Sequence, residues 1–150
     1  MSLHSPVGDL TVSEEGGAIV SVDWGWGRDQ AATPVLVRAK RALETYFDGE
    51  ALDDGLPLAP AGTAYQLRVW QALRHIPAGE TRTYVDISRV AGGSPRSVGG
   101  ANGRNKIPIF IPCHRVVAVG GLGGYSGGDG LTTKRWLLAL ERAPDFCKVE

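Results

Sequence analysis

Three consecutive residues, Cys113, His114 and Arg115, give the chain its clearest capacity for chemistry. They lie between two short apolar runs, which predicts a buried β or extended backbone around the thiol. Pro108 and Pro112 fix φ and remove two backbone donors, so we expect neither a helix nor a central strand there. A thiol is most reactive where basic or positive neighbours lower its pKa. Because buried thiols are also common as simple packing, a structural cysteine is the alternative at this point.

Further motifs accompany this segment in order along the C-terminal half of the chain. They are Gly79-Glu80, Thr83-Tyr84, Arg96-Ser97-Val98-Gly99, Asn105, Tyr125-Ser126-Gly127-Gly128 and Leu137-Leu138-Ala139-Leu140-Glu141. Together with Pro-Cys-His-Arg-Val at residues 112–116, this set resembles the O6-alkylguanine-DNA alkyltransferases, the methylated-DNA–protein-cysteine methyltransferases. The resemblance extends from about Gly62 to Glu141, and the N-terminal part carries little of it.

The resemblance implies a covalent transfer to Cys113, the residue that matches the family's alkyl acceptor. Glu141 is expected to accept a hydrogen bond from His114 and fix its tautomer, while His114 takes the thiol proton through a water. Tyr84 is the expected donor to the departing guanine, and Asn105 is expected to brace the turn that presents the cysteine. The product is a stable thioether, so each molecule should react once, and no cofactor or metal is implied.

The same resemblance implies a pocket for the damaged base, because an enzyme that acts on guanine O6 must take that base out of the duplex. Ser126 is expected there as a second donor to guanine, beside the glycine-rich loop of residues 120–124. The expected pocket residues are Ser126, Tyr125, Pro108, Val116 and Gly124.

Two short helices joined by a glycine turn predict a helix-turn-helix. Thr83 and Asp86 form a capping-box pattern that begins the first helix, and the glycines at 92–93 end it. Pro95 begins the second helix, which we expect to extend to about Asn102.

The second helix lacks the long side chains that identify base edges in the major groove. Gly99 and Gly100 each cost about 1 kcal/mol against alanine inside a helix. Close approach of the helix to DNA is one physical reason for them, and close packing against another helix is the alternative. In the resembled family the residue matching Arg96 enters the base stack, where a planar guanidinium stacks well. The expected DNA-binding residues are Arg96, Ser97, Gly99, Gly100, Ala101, Arg104 and Arg115.

The net charge of zero conceals a strong division along the chain. Residues 1–60 carry four basic and ten acidic residues, a net charge of −6, and residues 61–150 carry a net charge of +6. A basic face confined to the C-terminal part fits a polyanionic partner, although an ordinary solvated surface is the alternative. With the resemblance, it predicts double-stranded DNA containing O6-alkylguanine, bound by a monomer largely without sequence preference.

The predicted fold class is α+β, with two domains. An N-terminal α/β domain over residues 1–50 combines an antiparallel hairpin around Gly16-Gly17 with a helix that begins at Pro34. Residues 51–62 contain prolines and glycines without helical periodicity and are the expected linker. Residues 63–150 are expected to form a mainly helical winged helix-turn-helix domain, whose last helix begins at Thr132 or Thr133.

The remaining features concern location and metals. Cys113 and Cys147 are the only cysteines and form no Cys-x-x-Cys motif, and neither a signal-type sequence nor a membrane-length apolar run is present. We therefore expect a reducing, cytoplasmic setting and no membrane association. Some members of the family hold zinc in the N-terminal region, but His4 is the only Cys or His before residue 62, so no such site is expected.

Two other functions remain open at this stage. Alkyltransferase-like proteins bind lesions without transfer, but such relatives lack the cysteine that is present here as Cys113. A cysteine hydrolase would use Cys113, His114 and Glu141. Adjacent side chains on an extended segment point to opposite faces, which is poor geometry for direct proton transfer between Cys113 and His114.

Overall fold

An antiparallel sheet forms the N-terminal layer of the computed structural model, which describes residues 1–143. Its strands are β1 (Ser2–Leu3), β2 (Leu10–Glu15) and β3 (Ala18–Trp24), hydrogen-bonded in that order. Gly16 and Gly17 join β2 to β3 with φ of 60° and 85°. Positive φ at both central residues is the requirement of a type I′ turn, which glycine meets without steric cost. The predicted hairpin is confirmed.

Helix α1 (Pro34–Phe47) covers one face of this sheet. The Thr33 hydroxyl caps the helix by accepting the backbone N–H of Leu36, and proline occupies the first turn, as predicted. The buried face of α1 consists of Leu36, Ala39, Ala42, Leu43 and Tyr46.

Residues 51–62 contain no helix but are joined to the sheet. Ile19 of β3 donates to the carbonyl of Pro57 and accepts from the amide of Ala59, both at 2.8 Å. Leu56 is only 4% exposed. The segment therefore contributes one isolated β-bridge and an apolar side chain to the N-terminal layer.

The rest of the described chain is mainly helical. It contains α2 (Ala64–Leu73), β4 (Arg82–Thr83), α3 (Tyr84–Ala91), α4 (Pro95–Gly103), β5 (Val116–Val117) and α5 (Leu131–Leu140). Capping boxes begin α2, α3 and α4, and Gly92 ends α3 with φ of 89°. Helix α2 packs against both α3 and α4, and β4 pairs with β5 in parallel. The α+β class and the predicted helix-turn-helix are confirmed.

Two local predictions are wrong. The backbone at the cysteine is not extended: Cys113–Arg115 form a 3-10 turn, because the proline before them ends the preceding segment with a bend. Helix α5 begins at Leu131, after Gly130 with φ of 65°, and not at a threonine cap. The Thr133 hydroxyl instead accepts the amide of Asp129 from within the first turn.

One continuous apolar core serves both parts of the chain. Leu10 and Leu43 from the N-terminal layer belong to the same buried cluster as Leu73, Ile107 and Leu137. Within residues 1–143, no helix combines the length and the apolar character needed to cross a bilayer.

Candidate active site

A strained turn precedes the cysteine. The amide of Ile111 donates to the carbonyl of Ile107 at 2.9 Å, which closes the turn around Ile109. Ile109 has φ of 75°, a conformation that a β-branched residue rarely adopts and that costs on the order of 1–3 kcal/mol. Asn105 braces both ends, because its side chain donates to Ile111 O at 2.8 Å and accepts from Ile107 N at 3.0 Å. Asn105 thus contacts both ends of the turn that precedes Cys113.

Cys113 is fixed on both sides by hydrogen bonds of its own backbone. Pro112 has φ −80° and ψ 67°, values of an inverse γ-turn, and the Cys113 amide donates to Ile111 O at 2.8 Å. The Cys113 carbonyl accepts from Asn102 Nδ2 at 3.1 Å. Burial raises the pKa of the thiol, against a smaller opposing effect of Asn105. The thiol is therefore protonated at neutral pH and needs a base.

The next residue in sequence, His114, is hydrogen-bonded to a buried carboxylate. His114 is fully buried, and its Nε2 lies 2.7 Å from Oε2 of Glu141. Glu141 follows the last turn of α5, and its side chain is 2% exposed. Arg115 donates to both carboxylate oxygens, through Nε at 2.8 Å and a terminal nitrogen at 2.9 Å. This bidentate pair neutralises most of the charge that burial would otherwise disfavour.

Burial and neighbouring charges determine the protonation states of Glu141 and His114. Burial acts to raise the pKa of Glu141, but His114 and Arg115 outweigh it and hold that pKa well below its ordinary value. Burial lowers the pKa of His114, so the ring is neutral at pH 7. Because the carboxylate can only accept, Nε2 carries the ring proton, and the lone pair lies on Nδ1. That atom is buried and has no hydrogen-bond partner among residues 1–143.

A cavity of about 480 Å³ opens beside Cys113. Of the expected pocket residues, Ser126, Tyr125, Pro108 and Gly124 line it, and so do Tyr84 and Asn105. Val116 does not: its side chain is fully buried in the core, so the prediction for this residue is wrong. The volume of the cavity lies in the range of small-molecule binding sites.

Glycines shape the wall that faces Tyr84 and Trp24. A Cβ at Gly123 would lie 2.7 Å from the Tyr84 hydroxyl, which accepts the Gly124 amide at 3.3 Å. A Cβ at Gly127 would lie 2.7 Å from Trp24, which itself lines the cavity. The glycines that directly follow Tyr125 and Ser126 are the sequence signal that an aromatic ring packs against this wall.

Lys134 was not identified from the sequence. It is fully buried on α5, and its Nζ donates to the carbonyls of Val116 at 2.6 Å, Leu122 at 2.5 Å and Gly124 at 3.0 Å. Burial lowers its pKa to about 8. Lys134 thus ties the glycine-rich loop to the strand after the cysteine. A lysine one turn before the apolar Leu137 and Leu138, on their face of the helix, is the sequence signal for such a contact.

Two residues expected on the DNA-binding surface lie inside the protein. Ala101 is 4% exposed, and its carbonyl accepts the Trp70 indole N–H at 2.9 Å. Arg115 is 8% exposed and is committed to Glu141 and to the Ile76 carbonyl at 2.7 Å. Both predictions are wrong, because adjacency to the motif did not show which face each side chain occupies.

The other residues expected on that surface are accessible. Arg96, Ser97, Gly100 and Arg104 are exposed, and Gly99 is half-buried. A Cβ at Gly100 would meet no atom within 4 Å, and one at Gly99 would lie 3.9 Å from Tyr84. Close packing within the protein therefore does not explain these glycines.

Comparison with known proteins defines the class. The model of the DNA binding domain of 6-O-methylguanine DNA methyltransferase matches residues 64–143, and that of its ribonuclease-like domain matches residues 2–60. The chain belongs to the 6-O-methylguanine DNA methyltransferase family.

Individual relatives are similar over nearly their whole length. The constitutive methylated-DNA–protein-cysteine methyltransferase of Bacillus subtilis is 43% identical, over 93% of this chain and 92% of the relative. The methylated-DNA–protein-cysteine methyltransferase of Methanosarcina acetivorans is 40% identical over 92% and 94%. The crystal structure of Mycobacterium tuberculosis OGT in complex with DNA has a TM-score of 0.83 at 39% identity, covering 95% of this chain and 91% of that one.

Glu141 should make stability depend on pH. Its pKa in the folded protein is below the ordinary value of about 4.3, so its contribution is present above that value and is lost as pH falls. Glu141→Gln should lower the free energy of unfolding at pH 7 by about 3–5 kcal/mol, because Arg115 loses its buried partner. Denaturant titrations should show this difference shrinking from pH 7 towards pH 3. A difference that stays constant over this range would contradict a charged Glu141.

Proposed function

We propose that this protein repairs O6-alkylguanine in double-stranded DNA by moving the alkyl group irreversibly to Cys113, which restores guanine. The observation that carries the proposal is the position of Cys113: a fixed thiol on a cavity large enough for a base, next to a neutral histidine held by a buried carboxylate. The names of the relatives and the DNA complex of the M. tuberculosis OGT structure support it.

The first step is loss of the thiol proton. Among residues 1–143, no hydrogen bond joins the Cys113 thiol to the His114 ring, and the free lone pair lies on Nδ1. A bridging water carries the proton to Nδ1, and Glu141 stabilises the imidazolium that forms. The raised pKa of the thiol makes this assistance necessary, and the same burial makes the thiolate, once formed, poorly solvated and strongly nucleophilic.

The second step is displacement at the alkyl carbon. The thiolate forms the S–C bond as the C–O6 bond breaks, and the electron pair goes to guanine O6. The guanine anion then gains a proton and His114 gives its proton up, so the net change is transfer of the alkyl group to sulfur and of the thiol proton to guanine. Tyr84 and Ser126, both on the cavity, donate hydrogen bonds to the base as it leaves. The attacked atom is an alkyl carbon and not a carbonyl, so no oxyanion hole is needed. Metal ions have no assigned part, and residues 1–143 contain no cluster of three His, Cys, Asp or Glu side chains suited to one.

The thioether ends the reaction. A neutral thiol becomes a neutral thioether, and a thioether is stable because a thiolate is a poor leaving group from an alkyl carbon. Each molecule therefore reacts once. A reduced Cys113 is required beforehand, which favours a cytoplasmic location.

The exposed face of α4 supplies the DNA contact. Its glycines allow the helix backbone to approach a groove, and Arg96 in its first turn fills the space that the extruded base leaves. The damaged base then occupies the cavity between Tyr84 and Tyr125. Contacts of this type carry little sequence information, so binding is largely independent of sequence.

Mass spectrometry after exposure to duplex DNA with O6-methylguanine tests the function directly. We expect one methyl group per molecule, mapped by peptide analysis to Cys113. Cys147, which lies outside the described residues, is the internal control and should stay unmodified. Binding without an adduct would indicate a lesion-binding protein, turnover of an acyl substrate would indicate a hydrolase, and more than one methyl per molecule would refute single turnover.

Gly100→Ala distinguishes the effect of this position on DNA binding from its effect on protein stability. A Cβ fits at this position, so the variant should be up to about 1 kcal/mol more stable in denaturant titrations. Its affinity for duplex DNA should fall several-fold, because the added methyl group keeps the helix from the groove. Transfer from free O6-methylguanine, which involves no groove, is the control and should not change. Unaltered DNA affinity in the stabilised variant would remove Gly100 from the interface.

Arg96→Ala distinguishes a role in extruding the base from a role in the alkyl transfer itself. The variant should react slowly with O6-methylguanine in duplex DNA but near the wild-type rate with the free base, which needs no extrusion. Arg96→Lys should be partly effective, since an ammonium does not stack as a guanidinium does. Arg89→Ala, at an exposed position on α3, is the matched control. Equal loss on both substrates would mean that Arg96 shapes the cavity instead.

A further inference from the structure

We propose that Tyr46, on the N-terminal helix α1, is a positioning residue of the transfer reaction: it holds Glu141 in the orientation that His114 needs and shares its negative charge. This inference rests on the alkyl transfer proposed above. It goes further because it gives the N-terminal layer a part in the chemistry, whereas the residues assigned above to the reaction begin at Tyr84.

The contact is short, buried and long-range. The Tyr46 hydroxyl donates to Oε2 of Glu141 at 2.5 Å, across 95 positions of sequence. Tyr46 is 3% exposed, and the Glu141 side chain is 2% exposed. Hydroxyl–carboxylate hydrogen bonds of this length are among the strong ones in proteins, particularly away from water.

Tyr46 acts as a donor and not as a base. Burial, and then the adjacent charge of Glu141, raise the pKa of its hydroxyl well above the ordinary value. The hydroxyl therefore keeps its proton throughout the pH range in which His114 titrates. It supplies a fixed hydrogen bond that does not change as His114 gains and loses a proton.

The same carboxylate oxygen serves three donors. Oε2 of Glu141 accepts from Tyr46, from His114 Nε2 at 2.7 Å and from Arg115 at 2.9 Å. A donor that draws charge from this oxygen weakens its attraction for the His114 ring proton. Loss of the Tyr46 hydroxyl should concentrate charge towards His114, favour the imidazolium and raise the pKa of the histidine.

Other ionisable groups surround the pair and remain in place when that hydroxyl is removed. They are Arg115 from the 3-10 turn, Lys134 from α5, Cys113, and Tyr125 from the cavity wall. Arg115 and Lys134 lower the pKa of His114, after burial and against the effect of Glu141. The expected direction of change is therefore set by Tyr46 alone.

Aromatic packing holds Tyr46 in place independently of its hydroxyl. Its ring meets Phe47 edge-on at 5.4 Å, and Phe47 lies 6.1 Å from Trp136 on α5, the helix that leads to Glu141. Tyr46→Phe thus keeps the contact between α1 and α5 and removes one hydrogen bond. Phe47→Leu is the matched control, because it weakens that packing and leaves the hydroxyl.

The experiment is the pH dependence of single-turnover transfer from free O6-methylguanine, measured from about pH 5 to pH 9. The wild-type rate should fall on the acid side as His114 becomes protonated. In Tyr46→Phe the midpoint of that fall should move up by about half to one pH unit, which is a roughly three- to tenfold lower rate below the midpoint. Phe47→Leu should lower the melting temperature but keep the wild-type midpoint.

A second substitution tests the opposite direction. Tyr46 replaced by 3-fluorotyrosine keeps its shape and has a more acidic hydroxyl, which donates more strongly to Glu141. The acid-side midpoint should then move down. This variant keeps the test decisive even if Tyr46→Phe does not fold.

Each outcome of these experiments bears either on the role of Tyr46 or on the proposed function. An unchanged midpoint in Tyr46→Phe or in the fluorotyrosine protein overturns the inference, and so does an equal loss of rate at every pH, which would indicate a purely structural residue. Absence of any adduct in the wild-type protein would instead overturn the proposed function. The two failures are therefore distinguishable.

Discussion

The buried carboxylate of Glu141 is the constraint on which the rest of the site depends. It lies at the end of α5, accepts hydrogen bonds from Arg115, His114 and Tyr46, and is almost inaccessible to solvent. A buried carboxylate is tolerated only when its hydrogen-bonding capacity is filled, and these donors come from two distant parts of the chain, α1 and the 3-10 turn. Satisfying this one charge therefore fixes α1, α5 and the cysteine turn relative to one another.

Rigidity at the cysteine has a local energetic cost. Ile109 adopts positive φ, and Asn105 holds both ends of the turn that contains it. The full burial of the isoleucines on either side offsets this strain, since burying such a side chain is worth about 1.5–3 kcal/mol. The result is a thiol whose position does not depend on a mobile loop, which suits a reaction that needs alignment with a single carbon atom.

The active site and the exposed face of α4 differ in how tightly they are packed and hydrogen-bonded. Around Glu141, both carboxylate oxygens accept hydrogen bonds, and Lys134 donates to three backbone carbonyls of the cavity loop and the adjacent strand. On α4 the reverse holds, since Gly100 leaves open space where a side chain would fit and where alanine would stabilise the helix. The protein thus gives up local stability where a partner must approach and concentrates it where the chemistry occurs.

The sequence by itself determined most of the local elements and the reactive Cys113-His114 motif. Some features depend only on neighbours within a few residues, so the sequence predicts them. They are the Gly16-Gly17 turn, the proline and threonine caps and the Cys113-His114 motif. Tertiary structure alone decided which face each side chain occupies. Arg115, Ala101 and Val116 were expected at DNA or at the base and lie in the interior, whereas Tyr46 and Lys134 attracted no functional prediction and complete the site. The physical reason is that these contacts join residues 10 to 95 positions apart, and their partners are set by packing and not by sequence spacing.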